Sequence, residues 1–223
     1  MGEIQIRDVL PGEYEDTGRL IQRAYAEYAR PGDPLWDGYF GMLADVAGRA
    51  GFAPVLVAVA DGRIVGTATV ELDRTIEGTG GLQPGQANLR LLAVDPGARG
   101  RGVGRRLVQA CVQAARQAGK EVATLHTTER MVAAQRIYRA LGFQRDPAGD
   151  IELHPDLILQ AFRLPLRSRD SGNAQRVGTP TCSTRVPSRR ESGKCCRFIT
   201  RHSTFERADH AGRIRSEWPV VPL

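Results

Sequence analysis

The segment Val94-Asp95-Pro96-Gly97-Ala98-Arg99-Gly100-Arg101-Gly102-Val103-Gly104-Arg105-Arg106-Leu107 puts four glycines and four arginines into fourteen residues. These residue types at this spacing suit the holding of a phosphate. Glycine lets the main chain approach a ligand closely. A helix starting there also aims unpaired N–H groups and the positive end of its dipole at an anion. Arg99, Arg101, Arg105 and Arg106 add positive charge around the same spot. Two common phosphate loops do not fit. A dinucleotide fingerprint needs G-x-G-x-x-G, but Gly100-x-Gly102 is followed by Gly104 and then Arg105. A nucleoside-triphosphate loop needs Gly-Lys followed by Ser or Thr, and the two lysines, Lys120 and Lys194, lie elsewhere.

Such a turn works only if a strand enters it and a helix leaves it. Residues 88–94 are rich in Leu and predict the strand, closed by Asp95-Pro96. Val103, Leu107, Cys111, Ala114 and Ala118 form one apolar face of a helix that Gly119 stops. Upstream, residues 4–8 predict a short strand, 14–29 a helix with Leu20, Ile21, Ala24, Tyr25 and Tyr28 on one stripe, and 34–50 a second helical stretch with Asp33 or Asp37 as cap. Residues 54–60 and 64–72 predict a hairpin around Asp61-Gly62, and 74–86 a glycine-rich loop. Downstream come a strand at 121–127, a helix at 130–141 ended by Gly142, and a last strand at 157–164. This order predicts an α/β (α+β) class with parallel pairing across the 102–119 crossover.

The chain has 223 residues and a net charge of +6, and its charge is unevenly spread. Residues 1–166 carry a net −1 and residues 167–223 a net +7. A basic protein invites a nucleic-acid reading, but here the basicity belongs to the last 57 residues, not to the body. After Pro165 the periodicity stops, and only 9 of those 57 residues are Leu, Ile, Val or Phe, which predicts a disordered tail. Cys182, Cys195, Cys196, His202 and His210 lie in it without the paired spacing of a zinc module, so no metal is expected. The tail reads as dispensable, and as what unselected GC-rich coding would produce. No apolar run reaches 18 residues and the N-terminus lacks an apolar h-region, so no membrane span is expected and a cytoplasmic location is. Cys111 alone gives the body no disulfide framework.

Arg99-Gly100-Arg101-Gly102-Val103-Gly104 matches the [QR]-x-x-G-x-[GA] motif of the GCN5-related N-acetyltransferase (GNAT) superfamily, and Leu91-Leu92-Ala93-Val94-Asp95-Pro96 resembles the strand before it. Residues 133–143, Ala-Ala-Gln-Arg-Ile-Tyr-Arg-Ala-Leu-Gly-Phe, resemble the family's A-x-x-x-Y-x-x-x-GF helix end. The resemblance covers roughly 3–165. It implies a domain at 1–166, with a mixed central sheet of six to seven strands flanked by about four helices. It also implies transfer of an acetyl group from acetyl-CoA, as co-substrate, to a primary amine of a small molecule by direct attack in a ternary complex. Protein N-terminal or lysine acetylation is the alternative enzyme reading. A CoA-binding module without catalysis and a nucleic-acid binder acting through the tail are alternatives of other classes. A homodimer is left open.

By the same resemblance, main-chain N–H groups of Arg99, Gly100, Arg101, Gly102, Val103, Gly104 and Arg105 hold the CoA pyrophosphate. Pantetheine pairs with Leu92, Ala93 and Val94 like an added strand, and an N–H near Leu92 or Ala93 polarises the thioester. Tyr138 is the implied general acid for the leaving thiolate. Relatives often carry Glu as base where this chain has Asn88, which cannot accept a proton. Glu71 is the substitute, beside a water relay or binding of the neutral amine. Glu71, Asp73 and Glu77 could also attract a cationic amine, whereas acids on a loop are ordinarily just solvated. Met131 replaces the Asn that many members place against pantetheine. His126 ends a strand facing the cleft, where it contacts substrate or serves structure. Trp36 and Tyr39 line the acceptor pocket or pack in the core, and Cys111 is expected to be inert.

Overall fold

The computed structural model of the chain describes residues 2–29, 34–74, 82–154 and 157–166, without the side chains of 34–38, 153 and 154. The expectations for Trp36, Glu77 and the whole of 167–223 lie outside the described residues or side chains.

Five α-helices and eight strands occur among the described residues. In chain order they are β1 (Gln5–Asp8), α1 (Tyr14–Tyr25), α2 (Pro34–Ala44), α3 (Val46–Ala50), β2 (Val55–Ala60), β3 (Arg63–Glu71), β4 (Gln86–Val94), α4 (Val103–Gln117), β5 (Val122–Thr127), α5 (Val132–Ala140), β6 (Gln144–Arg145), β7 (Ile151–His154) and β8 (Leu157–Pro165). The sheet runs β1-β2-β3-β4-β5-β8-β6, with β7 on β8. Only β4 and β5 are parallel among the described pairs, joined across α4 as the sequence predicts.

The mixed architecture agrees with expectation, and three details depart from it. The stretch 34–50 is two helices, because Asp45 leaves helical geometry and its carboxylate caps α3 through Gly48 N at 2.8 Å. Strands β6 and β7 are added, at two and four residues too short for a period to show. The helix from Tyr14 ends in a tighter turn at Ala26–Tyr28.

Two cores lie on opposite faces of the sheet. On one, Val103, Leu107, Val108, Cys111 and Ala115 of α4 pack with Ala87 and Leu89 of β4. On the other, Leu20, Ile21, Tyr25, Tyr39 and Leu43 pack with Leu91 and Ala93, also of β4. Residues two apart in a strand share a face, so positions 89 and 91 should not fall in different cores. Leu91 has φ +52°, and the pairing of β3 with β4 slips between Thr67 and Thr69. This bulge turns the strand over and carries Leu91 and Ala93 to the second core. Cys111 is a free thiol with no exposure, and burial pushes its pKa up to about 12, as its expected inertness requires. No described helix is long and apolar enough to cross a membrane.

Candidate active site

The loop before α4 is built to leave donors unpaired. Gly102, at φ +78°, occupies the N-cap position, has no side chain to cap the helix, and no acidic residue follows in the first turn. The first helical bond from this start runs from Arg106 N to Gly102 O at 3.0 Å. The N–H groups of Val103, Gly104 and Arg105 therefore point out of the helix end, where the dipole favours an anion. A Cβ on Gly104 would come within 3.0 Å of Ile137 Cδ1, so α4 and α5 meet here only because that position is bare.

β4 and β5 pair from Gln86↔Val122 to Leu89↔Leu125 and then part, while β5 continues along β8 through His126↔Ala161 and Thr127↔Gln160. The gap is a cleft. Its wall includes Leu92, Ala93, Val94, Arg99, Gly100, Gly102, Val103, Gly104 and Arg105, with Met131, Ala134 and Ile137 opposite and Tyr25, Glu27 and Tyr28 at one side. Arg101, expected with them, lines a neighbouring groove with Glu13, Arg23 and Arg63 instead. Arg99 donates through both terminal guanidinium nitrogens to Glu27, at 2.7 and 3.0 Å, across 72 residues of sequence.

A second recess opens on the same strand before the bulge. Asn88, Leu89, Arg90 and Leu91 line it with His126, Thr127 and Thr128, and Tyr25 and Met131 are common to both recesses. Thus Met131, not an Asn, borders the junction.

The candidate catalytic residues fall in different surroundings. Tyr138 sits in α5 with its ring against Phe143 and Phe162, at centroid distances of 6.0 and 6.3 Å. The cleft wall on that helix is formed by its neighbours Ala134 and Ile137. Burial, with Tyr25, Cys111 and Tyr28 nearby, raises the Tyr138 phenol far above its usual range. Its hydroxyl has no hydrogen-bond partner among the described residues.

Glu71 is not a cleft residue, which corrects its expected role as base. Its side chain is 0% exposed, accepts from Asn88 Nδ2 at 2.9 Å and lies 3.7 Å from Arg90 Nη1. An acid sealed there serves as counter-ion to a buried arginine and does not reach an acceptor amine. Tyr39 is likewise core, with no exposure and its ring 6.3 Å from that of Tyr25. His126 does line the recess, and its Nε2 lies 2.9 Å from Gly149 O. Burial holds its pKa below the ordinary histidine value, Arg90 and Arg145 push the same way, and the Gly149 carbonyl and Asp150 oppose them.

Sequence reasoning missed Glu27, Arg90 and Thr127. No local signal pairs Glu27 with Arg99, while Arg90 on a buried, Leu-rich strand could have been flagged as a cation needing a partner. Among the described residues no cluster of three His, Cys, Asp or Glu could hold a metal ion.

Comparison with solved structures shows the same fold. An acetyltransferase of the GNAT family from Staphylococcus aureus Mu50 superposes with TM-score 0.58 at 19% identity, covering 74% of this chain and 100% of that one. YncA of Salmonella typhimurium, solved with its cofactor acetyl-CoA, gives 0.54 at 21% identity, covering 78% and 100%. The ribosomal-protein-S18-alanine N-acetyltransferase of Escherichia coli gives 0.54 at 18% identity, covering 77% and 99%. A comparison with curated protein sequences returns no match. Residues 16–143, more than half of the chain, match the model of the acetyltransferase (GNAT) family, and the chain, with its split strands and bare helix start, belongs to that family.

Proposed function

We propose that this chain is an N-acetyltransferase that moves the acetyl group of acetyl-CoA to a primary amine of a small molecule by direct attack in a ternary complex. The observation that carries the reading is the continuity of β4, whose residues 92–94 border the glycine-rich helix start and whose residues 88–91 border the second recess. A ligand held by its pyrophosphate at α4 and laid along 92–94 would present its thioester near the bulge, with the second recess open to an amine. The N–H groups of Val103, Gly104 and Arg105 hold the pyrophosphate, and a main-chain N–H near Leu92 or Ala93 draws charge onto the thioester oxygen.

Tyr138 protonates the leaving sulfur. A phenol raised by burial is a weak acid for a thiolate whose ordinary pKa is about 8.5. The same packing raises thiols, however: Cys111, a neighbour of Tyr138 in the first core, is pushed up to about 12. A CoA thiolate in similarly dry surroundings is a stronger base than in water, which narrows the mismatch with the phenol. The hydroxyl, which has no partner among the described residues, supports this role.

Residues 1–166 form the acetyltransferase domain, and 167–223 are dispensable to it. The decisive experiment combines calorimetric titration of acetyl-CoA with mass spectrometry of products from a panel of small amines, amino-terminal peptides and lysine peptides. Turnover of small amines above peptides supports the reading. Faster turnover of peptides replaces it with protein acetylation, and acetyl-CoA binding without transfer leaves a CoA-binding module.

A further inference from the structure

The second recess contains one group suited to take a proton near neutrality. Asn88 and Thr127 have no basic atom, Arg90 is a cation, and Glu71 is sealed beneath them. We infer that His126 is the catalytic base that removes the proton from the acceptor ammonium, using Nδ1 while Nε2 is held by the Gly149 carbonyl. This inference rests on the acetyl-transfer reading and adds the residue that reading lacks.

Three observations place it. His126 follows directly after the last rung of the β4–β5 ladder, Leu89↔Leu125, so its main chain lies where the strands part. A carbonyl only accepts, so the 2.9 Å contact with Gly149 O puts the proton on Nε2 and leaves Nδ1 of the neutral ring with its lone pair. The turn that carries Gly149 is itself fixed: Asp150 accepts from Arg145 Nη1 at 2.6 Å and from Ala161 N at 2.9 Å. Thr127, 3% exposed, also lines the recess. The charged groups facing the imidazole are Arg90 from β4, Arg145 from β6 and Asp150 beside the turn. Burial, with the two arginines, outweighs Asp150 and the Gly149 carbonyl and holds the ring's pKa below the ordinary histidine value.

In the step, His126 Nδ1 takes one proton from R-NH3+. The freed lone pair forms the N–C bond, the C–S bond breaks, and its electron pair goes to sulfur. Tyr138 gives sulfur a proton and is reprotonated by the second proton leaving nitrogen. The acetamide keeps the third, and His126 releases its own to solvent.

The test compares wild type with His126→Gln on a panel of spermidine, benzylamine, alanine amide and lysine methyl ester. The expected result is a kcat about 100-fold lower with acetyl-CoA affinity within twofold of wild type. Wild-type kcat/KM should fall on the acid side, with its midpoint below the ordinary histidine value. The variant should lose that limb and climb toward the amine's own pKa. A variant within threefold of wild type, or one that keeps the limb, overturns the inference. Should the variant fail to fold, nitrogen NMR of the wild-type protein with acetyl-CoA decides: an Nδ1–H tautomer at pH 7 overturns it, an unprotonated Nδ1 upholds it. If the wild type binds acetyl-CoA and acetylates nothing on the panel, the transfer reading fails and this inference fails with it.

Discussion

The two recesses along β4 are made of different materials. After the bulge, the cleft at 92–105 is a main-chain construction: a parted strand edge, a glycine N-cap and three outward N–H groups. Before it, the recess at 88–91 is made of side chains brought from far apart in sequence, with Asn88 on Glu71, Glu71 beside Arg90, and His126 on Gly149. The main-chain end depends on what residues lack, and the side-chain end on which partners they find.

The largest test of that contrast is Gly104→Glu, which adds a Cβ within 3.0 Å of Ile137 and a negative charge beside the outward N–H groups. Acetyl-CoA affinity should fall by about 1,000-fold, ~4 kcal/mol, and the thermal shift on adding acetyl-CoA should vanish. Retention of either would mean that the pyrophosphate is held elsewhere. Tyr138→Phe comes next, with kcat lower by about 100-fold and acetyl-CoA affinity unchanged; stopped assays with a fixed amine read the first and calorimetry the second. Glu71→Gln should cost about 2 kcal/mol of stability in urea unfolding, because Arg90 keeps a hydrogen-bonding neighbour but loses its charge partner. Its acetyl-CoA affinity should not move, and if it does the two ends are coupled. Glu27→Gln is the smallest: the pair with Arg99 is over 40% exposed on both sides, so stability should change by less than about 1 kcal/mol. Acetyl-CoA should bind slightly more tightly, as Arg99 is released and a carboxylate leaves the cleft rim.

The same contrast explains what the sequence disclosed. Glycines, the helix stripe of Val103 to Ala115 and the breaker Gly142 act locally, so the phosphate loop and most elements were legible from spacing. Glu71 was not. In β3, Ala68 and Val70 alternate with Thr67, Thr69 and Glu71, a pattern that ordinarily marks one wet face. Here α1 packs on that sheet and the three polar residues are each at most 1% exposed. Nothing local announces a covered face, nor a bond between Glu27 and Arg99. The left-handed Leu91 also gives no warning, since the residue type disfavours it and only its surroundings enforce it.

That single residue has a consequence for how the molecule comes apart. Because β4 supplies Ala87 and Leu89 to one core and Leu91 and Ala93 to the other, neither core can dissolve without loosening the strand that anchors its counterpart. The bulge should thereby make the two cores melt as one cooperative unit. Native-state hydrogen exchange should accordingly find the amides of 87, 89 and 93 opening together, in the slowest-exchanging class.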